Sequence, residues 1–365
     1  MPARSLLVRT CCLVLGAGMV LVGLAGPAAA HGRGSDATNY RSQVTSEPDV
    51  PGVSWQVYGS DEFLSVTNAS DAELTVLGYE GEPYLRVGPK GVFENRASAA
   101  TYQNTDRYAN VGELPEDVGA NEEPRWQQVS DANSYLWHDH RAHWMSQNLP
   151  PSVTDPNSET VVQQWEVPFT IDGRERIVSG ELRWIPAPSA GVWLAVALLL
   201  TAPALLGLRS LRSSPDDHPD DPWITALARP AAVVLGAVAL LNLTHLVDDL
   251  FAVPLPGPTK ALAAAQTALF IGIGAFGALR GWQGRDGAFT ALGVGAGAIL
   301  IGQGVLYVSV LTTSQAATLF PEVAARLVVA LSIVQALPVG AVAVIGNRRL
   351  AAAAQPARSE AAAAT

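Results

Sequence analysis

The sequence predicts two parts of different class, an exported β-sandwich followed by an all-α membrane domain of five helices. Three observations lead there. Apolar residues are unevenly spread: residues 31–188 are polar and acidic, and long apolar runs dominate from Ser189 onward. Short alternating runs rich in β-branched and aromatic residues fill 50–97 and 160–185. Five later stretches reach the roughly 20 apolar residues that a spanning helix needs. The 365-residue chain is 48% hydrophobic and only 15% charged, too apolar for an ordinary soluble protein.

Residues 1–30 read as a secretory signal. Arg4 and Arg9 form its basic start, Cys11 to Leu24 its apolar stretch, and Pro27-Ala28-Ala29-Ala30 a small-residue cleavage site. Cleavage after Ala30 is expected to make His31 the first residue, uniting an α-amine and an imidazole on one residue. Both cysteines, Cys11 and Cys12, lie in the signal. A disulfide framework and any thiolate metal site, blue copper included, are thereby excluded from the exported part.

The exported domain is assigned to 31–188. It carries 24 acidic against 11 basic residues, which argues against nucleic acid as a partner. Strands are expected over 53–58, 63–67, 73–79, 84–87 and 91–94, with a break at Asn68-Ala69-Ser70-Asp71. Residues 98–130, rich in Asn, Asp, Glu, Gly and Pro, read as a long surface excursion. Two more strands, 160–170 and 176–185, flank Asp172-Gly173, a strong hairpin signal.

The membrane domain is assigned to 189–349, with spans near 190–208, 230–248, 261–279, 288–311 and 327–346. Arg209, Arg212, Arg229, Arg280, Arg285, Arg348 and Arg349 fall on one side, and only Lys260 and Arg326 on the other. The excess of positive charge on cytoplasmic loops orients the protein. It becomes a multi-pass protein of a bacterial cytoplasmic membrane, its N-terminal domain outside and its C-terminus inside. The Ala-rich tail, 350–365, is expected to be disordered. Gly272-x-Gly274-x-x-Gly277 matches a dinucleotide fingerprint by letter but lies inside a span, where close helix packing explains it. Gln266, Gln303 and Gln335 are expected to bond between helices.

The chemistry concentrates in Trp137-His138-Asp139-His140-Arg141-Ala142-His143-Trp144-Met145. With His31, this run holds four of the six histidines. On a strand, His138 and His140 would share one face with Asp139 opposite. His31, His138, His140 and His143 form the candidate metal ligands, a nitrogen-rich set suited to copper, with zinc as the alternative. Asp139 and Arg141 are candidate outer partners that orient the rings, and Met145 offers a soft ligand. In the second span, His245 faces Asp248 and Asp249 at helical spacings of three and four. Ionisable groups at membrane depth are costly and often functional, so these three form a candidate membrane site; interfacial wetting is the other explanation. His218 lies in an acidic, solvated turn. No G-x-S-x-G, H-E-x-x-H or P-loop occurs, and no catalytic residue is assigned.

Two resemblances bear on the exported domain. Residues 165–174 and 178–184 resemble the closing hairpin of copper-resistance C-type domains, Ig-like sandwiches that bind Cu(II) through an N-terminal His and an Asp-x-His pair. That family carries a His after Asp-Gly where this chain has Arg174. His31, His138 and His140 also resemble the layout of the B subunit of particulate methane and ammonia monooxygenases, whose cupredoxin-like domain begins with a His and carries a later His-x-His. Together they imply an extracytoplasmic copper-binding membrane protein acting in copper capture, delivery or transport. Its partners would be the lipid bilayer and an extracytoplasmic cuproenzyme or copper chaperone. Two alternatives stand beside this, a copper oxygenase-like component and a non-metal envelope scaffold or assembly protein.

Overall fold

The computed structural model describes residues 37–212 and 222–363, with side chains to residue 353. His31, His218, Cys11, Cys12 and the signal segment lie outside the described residues. Ten strands come first: β1 (Tyr40–Ser46), β2 (Val53–Tyr58), β3 (Phe63–Asn68), β4 (Leu74–Leu77), β5 (Pro83–Gly88), β6 (Gly91–Asn95), β7 (Trp126–Ser130), β8 (Ser134–Trp137), β9 (Thr160–Ile171) and β10 (Arg174–Trp184). A one-turn helix, α1 (Ala100–Gln103), separates β6 from β7. Five apolar helices follow, α2 (Ala190–Leu211), α3 (Pro222–Phe251), α4 (Gly257–Gln283), α5 (Ala288–Leu311) and α6 (Glu322–Ala353).

The strands form two antiparallel sheets, ordered β1-β10-β9-β4-β5-β6-β7 and β2-β3-β8. Strands expected from alternation recur with shifts of a few residues at their ends. The β9–β10 hairpin turns at Asp172 (φ 52°) and Gly173 (φ 67°), the two left-handed positions of a tight hairpin whose twist matches its strands. Three strands escape the pattern. β1 has one apolar residue inside it, Val44, and its pairing with β10 supplies what periodicity does not. β7 arises from the polar stretch read as an excursion, and β8 from residues given no element. One core joins both sheets: Trp55, Leu64, Val66 and Trp137 from the smaller pack with Leu74, Leu85, Val167 and Phe169 from the larger.

Each helix contains one expected span, and all five are long and apolar enough to cross a membrane. This fits a multi-pass membrane protein in a lipid bilayer. α3 starts eight residues before the expected span because Pro230 is accommodated inside it. The last helix continues to Ala363, past the boundary at Leu350 where disorder was expected, alanine being the strongest helix former. Within α5, Leu300–Gly304 forms a π-turn. The glycine run in α4 serves packing: a Cβ on Gly277 would lie 2.6 Å from the carbonyl oxygen of Ala291 on α5. Polar cross-links bind the bundle, Asn242 Nδ2 donating to Ser332 Oγ at 2.9 Å and Gln335 Nε2 to the Ala296 carbonyl at 2.9 Å.

The sheets sit at the end of the bundle where α5 joins α6. Thr38 and Gln315 exchange backbone hydrogen bonds of 2.9 and 2.8 Å. The Ser314 amide donates to Asn39 Oδ1 at 2.8 Å. The α5–α6 loop is thus hydrogen-bonded to the segment that enters β1 two residues after Thr38.

Candidate metal centre

β8 ends at Trp137, and 138–145 form a turn beyond it. His138 and His140 therefore do not share a strand face as expected, and Asp139 points inward. Asp139 is 1% exposed. Its carboxylate accepts from the Trp137 indole (2.9 Å), from Arg141 Nε (2.8 Å) and Nη2 (2.7 Å), and from the Arg141 amide (3.1 Å). Burial works against ionisation, yet Arg141 and these donors hold the carboxyl below its ordinary value. Asp139 and Arg141 thus set the shape of the turn that presents the histidines.

Each imidazole is pinned by one backbone carbonyl. His138 Nδ1 lies 3.1 Å from the Glu62 carbonyl and 3.3 Å from Glu62 Oε1, its ring packed 4.4 Å from Phe63. His140 Nε2 is 3.0 Å from the Asp106 carbonyl, and its ring stacks on Tyr79. His143 Nε2 is 2.6 Å from the Arg107 carbonyl and 3.1 Å from Met145 Sδ. A carbonyl has no proton to give, so the facing nitrogen carries it. The proton sits on Nδ1 of His138 and on Nε2 of His140 and His143, leaving the other nitrogen of each ring with a lone pair. For His143 that atom, Nδ1, is buried and has no hydrogen-bond partner among the described residues. His140 and His143 stand edge to face with ring centres 5.3 Å apart.

Arg107 organises the same region. It reaches Asp61 at 2.6 Å and also pairs with Glu62. Burial, outweighing the pull of Arg107, pushes the Asp61 carboxyl up to about 6. Burial and the Arg107 charge lower His138 to about 4 and His143 to about 3. Both rings are neutral at physiological pH, the form that binds metals. Glu62, Asp106, Arg107 and Tyr79 escaped the sequence reading. Only their closeness in the fold ties them to the histidines, since Asp106 and Arg107 come from the polar excursion.

Among the described residues, no three His, Cys, Asp or Glu side chains converge closely enough to hold an ion. The membrane trio is arranged as follows. His245 is 4% exposed, its Nδ1 3.0 Å from Gln303 Oε1 and its ring stacked 4.1 Å from Tyr307. Asp249 accepts from Thr267 Oγ1 at 2.5 Å and from the Tyr307 hydroxyl at 3.5 Å. Asp248 accepts from Thr318 Oγ1 and from the Leu319 amide, both at 2.9 Å. All three line a cavity of about 430 Å³ shared by α3, α4, α5 and the α5–α6 loop, to which Ala37 also contributes. No protein-family model, curated protein or solved structure matches this chain.

Proposed function

We propose that this protein is a membrane-anchored, extracytoplasmic copper-binding protein that captures copper for delivery or transfer at the bacterial cytoplasmic membrane. The two sheets would form an Ig-like or cupredoxin-like sandwich, in keeping with the resemblances noted above. One observation supports the proposal most. His138, His140 and His143 each give one ring N–H to a main-chain carbonyl, the pattern by which proteins orient metal-ligating imidazoles, and Nδ1 of His143 is buried with no hydrogen-bond partner among the described residues. Neutral imidazoles suit copper and zinc alike. His31, expected at the processed N-terminus, would supply a further amine and imidazole.

Metal analysis of the purified full-length protein, with N-terminal sequencing of the same sample, tests this. Bound copper is expected, and its loss in the His138→Gln/His140→Gln/His143→Gln variant. Copper uptake that is absent, or insensitive to the triple change, overturns the proposal.

A further inference from the structure

The histidine turn, 138–145, is rigid on one side and lightly covered on the other. Its own backbone is fixed by the buried Asp139–Arg141 pair and by Gln163, whose Nε2 donates to the Arg141 carbonyl at 2.9 Å. The cover is the segment 105–116, which runs between α1 and β7. It is anchored at both ends: Asn104 Oδ1 accepts from the Tyr79 hydroxyl, and Arg125 Nη2 donates to the Asp117 carbonyl at 3.0 Å. Between these anchors, among the described residues, hydrogen bonds to segments beyond α1 come from Asp106 and Arg107 alone. The Asp106 and Arg107 carbonyls accept from His140 and His143. The Arg107 guanidinium reaches Asp61 and Glu62, in the turn between β2 and β3.

Apolar packing adds little to this hold. Tyr108 and Leu114 are exposed, and neither they nor Val111 belong to the core of the sheets. Residues 112–117 are all exposed. Segments with few buried apolar contacts open at low free-energy cost. Something here has to open, because His143 is only 1% exposed and its Nδ1 has no hydrogen-bond partner among the described residues. An ion cannot reach that nitrogen from solvent while the cover stays shut.

We infer that residues 105–116 are a strap that gates the histidine turn, with Arg107 as its latch on Asp61 and Glu62. When the latch lets go, the Asp106 and Arg107 carbonyls leave His140 and His143 together, since both belong to the latch or its neighbour. Solvent then reaches the two rings at once. Charge acts in the same sense. After burial, the Arg107 charge is the next cause that holds the His143 imidazole below its ordinary value, and it opposes a metal cation as it opposes a proton. Swinging away with the strap, Arg107 removes that repulsion. Asp61, 1% exposed, draws the guanidinium back, because a buried carboxylate without its partner is costly. The strap is therefore shut at rest and opens transiently. That the gated species is copper rests on the proposed function; the strap and its latch do not.

Full-length protein in lipid nanodiscs, labelled with diethyl pyrocarbonate and read by mass spectrometry, reports how readily solvent reaches each imidazole. His143 is expected to label slowly in the wild type. Arg107→Lys keeps the charge that Asp61 requires but loses the two-armed fork. It should speed His143 labelling by about tenfold, the effect of losing one hydrogen bond to a charged group. Asp61→Asn attacks the latch from its other side and should do the same, so the test stands if one variant fails to fold. Glu113→Gln, at an exposed position of the strap, should label as the wild type does. Copper uptake, followed by tryptophan quenching after mixing with Cu(II), should accelerate by the same factor in both latch variants. Fast labelling of His143 in the wild type, or labelling unchanged in both latch variants, overturns the inference. Accelerated labelling in a protein that binds no copper supports the strap and removes the copper reading. Copper bound at a rate that neither latch variant alters keeps the metal site and overturns the gate.

Discussion

Arg141 grips the carboxylate of Asp139 with two parallel hydrogen bonds, Nε at 2.8 Å and Nη2 at 2.7 Å, inside a turn whose flanking residues are the candidate ligands His138 and His140. Such two-point pairs are the most geometrically demanding ion pairs available to a protein. Their burial makes half a pair costly. Asp139→Asn should destabilise the β-rich part by about 3–5 kcal/mol, the range for removing one partner of a buried pair. The same variant should lower copper affinity, because the turn that aims both rings is lost. Denaturant unfolding followed by tryptophan fluorescence measures the first effect, and metal titration the second.

Stability should fall on acidification. His138 and His143 have folded values near 4 and 3, below the ordinary 6.5. Their contribution is therefore complete above pH 6.5 and is lost as pH drops from there towards the folded values. Each imidazole can cost up to about 1.4 kcal/mol per pH unit in that window. Asp61, raised to about 6, acts in the opposite sense, since its folded state takes up a proton that the unfolded chain takes up only near its ordinary value. Two imidazoles outweigh one carboxyl between pH 6 and 4. Unfolding curves at pH 7, 6 and 5 should show decreasing stability, and His143→Gln should flatten the trend. A stability that rises on acidification would contradict the buried, neutral state of these rings.

Gly180 lies where β10 passes closest to its neighbours. A Cβ there would stand 2.0 Å from the Trp165 ring and 2.4 Å from the Gln43 carbonyl oxygen. Trp165 is itself buried, its indole donating to Ser42 Oγ at 2.9 Å. Gln43 is held in β1 by its pairing with β10, and Trp165 is held on β9 by its bond to β1. Gly180→Ala should cost about 1–3 kcal/mol, as overpacking does, and lower the unfolding temperature of the β-rich part.

The glycines of α4 separate into two kinds. Gly277 faces the α5 backbone, with the Ala291 carbonyl 2.6 Å and the Gly295 Cα 3.0 Å from where a Cβ would lie, whereas nothing stands within 4 Å of that position on Gly272. Gly277→Val should force the two helices apart and reduce the yield of monodisperse protein in detergent, because small residues permit this close approach. Gly272→Ala should leave the protein unchanged. Size-exclusion profiles after graded heating distinguish the two, and equal behaviour would remove the packing role assigned to Gly277.

Much of the fold was legible in the sequence, for reasons seen in particular elements. α2 to α6 follow from apolar length alone, since a bilayer leaves few ways to satisfy a backbone. β2 to β6 follow from period-two alternation, and β9–β10 from Asp172-Gly173. β1, β7 and β8 were invisible because their side chains do not alternate; long-range pairing with β10, β6 and β3 creates them. The candidate site divides similarly. His138, His140, His143 and Met145 could be picked out because they crowd nine residues, and His245, Asp248 and Asp249 because charge is rare in a span.

The sequence by itself determined the two-part architecture, the number of membrane-length helices and the residue types available for coordination, because those depend on local composition and spacing. Only tertiary structure decided the partners of these side chains. Glu62, Asp106 and Arg107 lie about 30 to 80 residues from the histidines they pin, and Gln303 lies on a different helix from His245. The proton position on an imidazole depends on what its other nitrogen faces, and that is settled when distant segments pack.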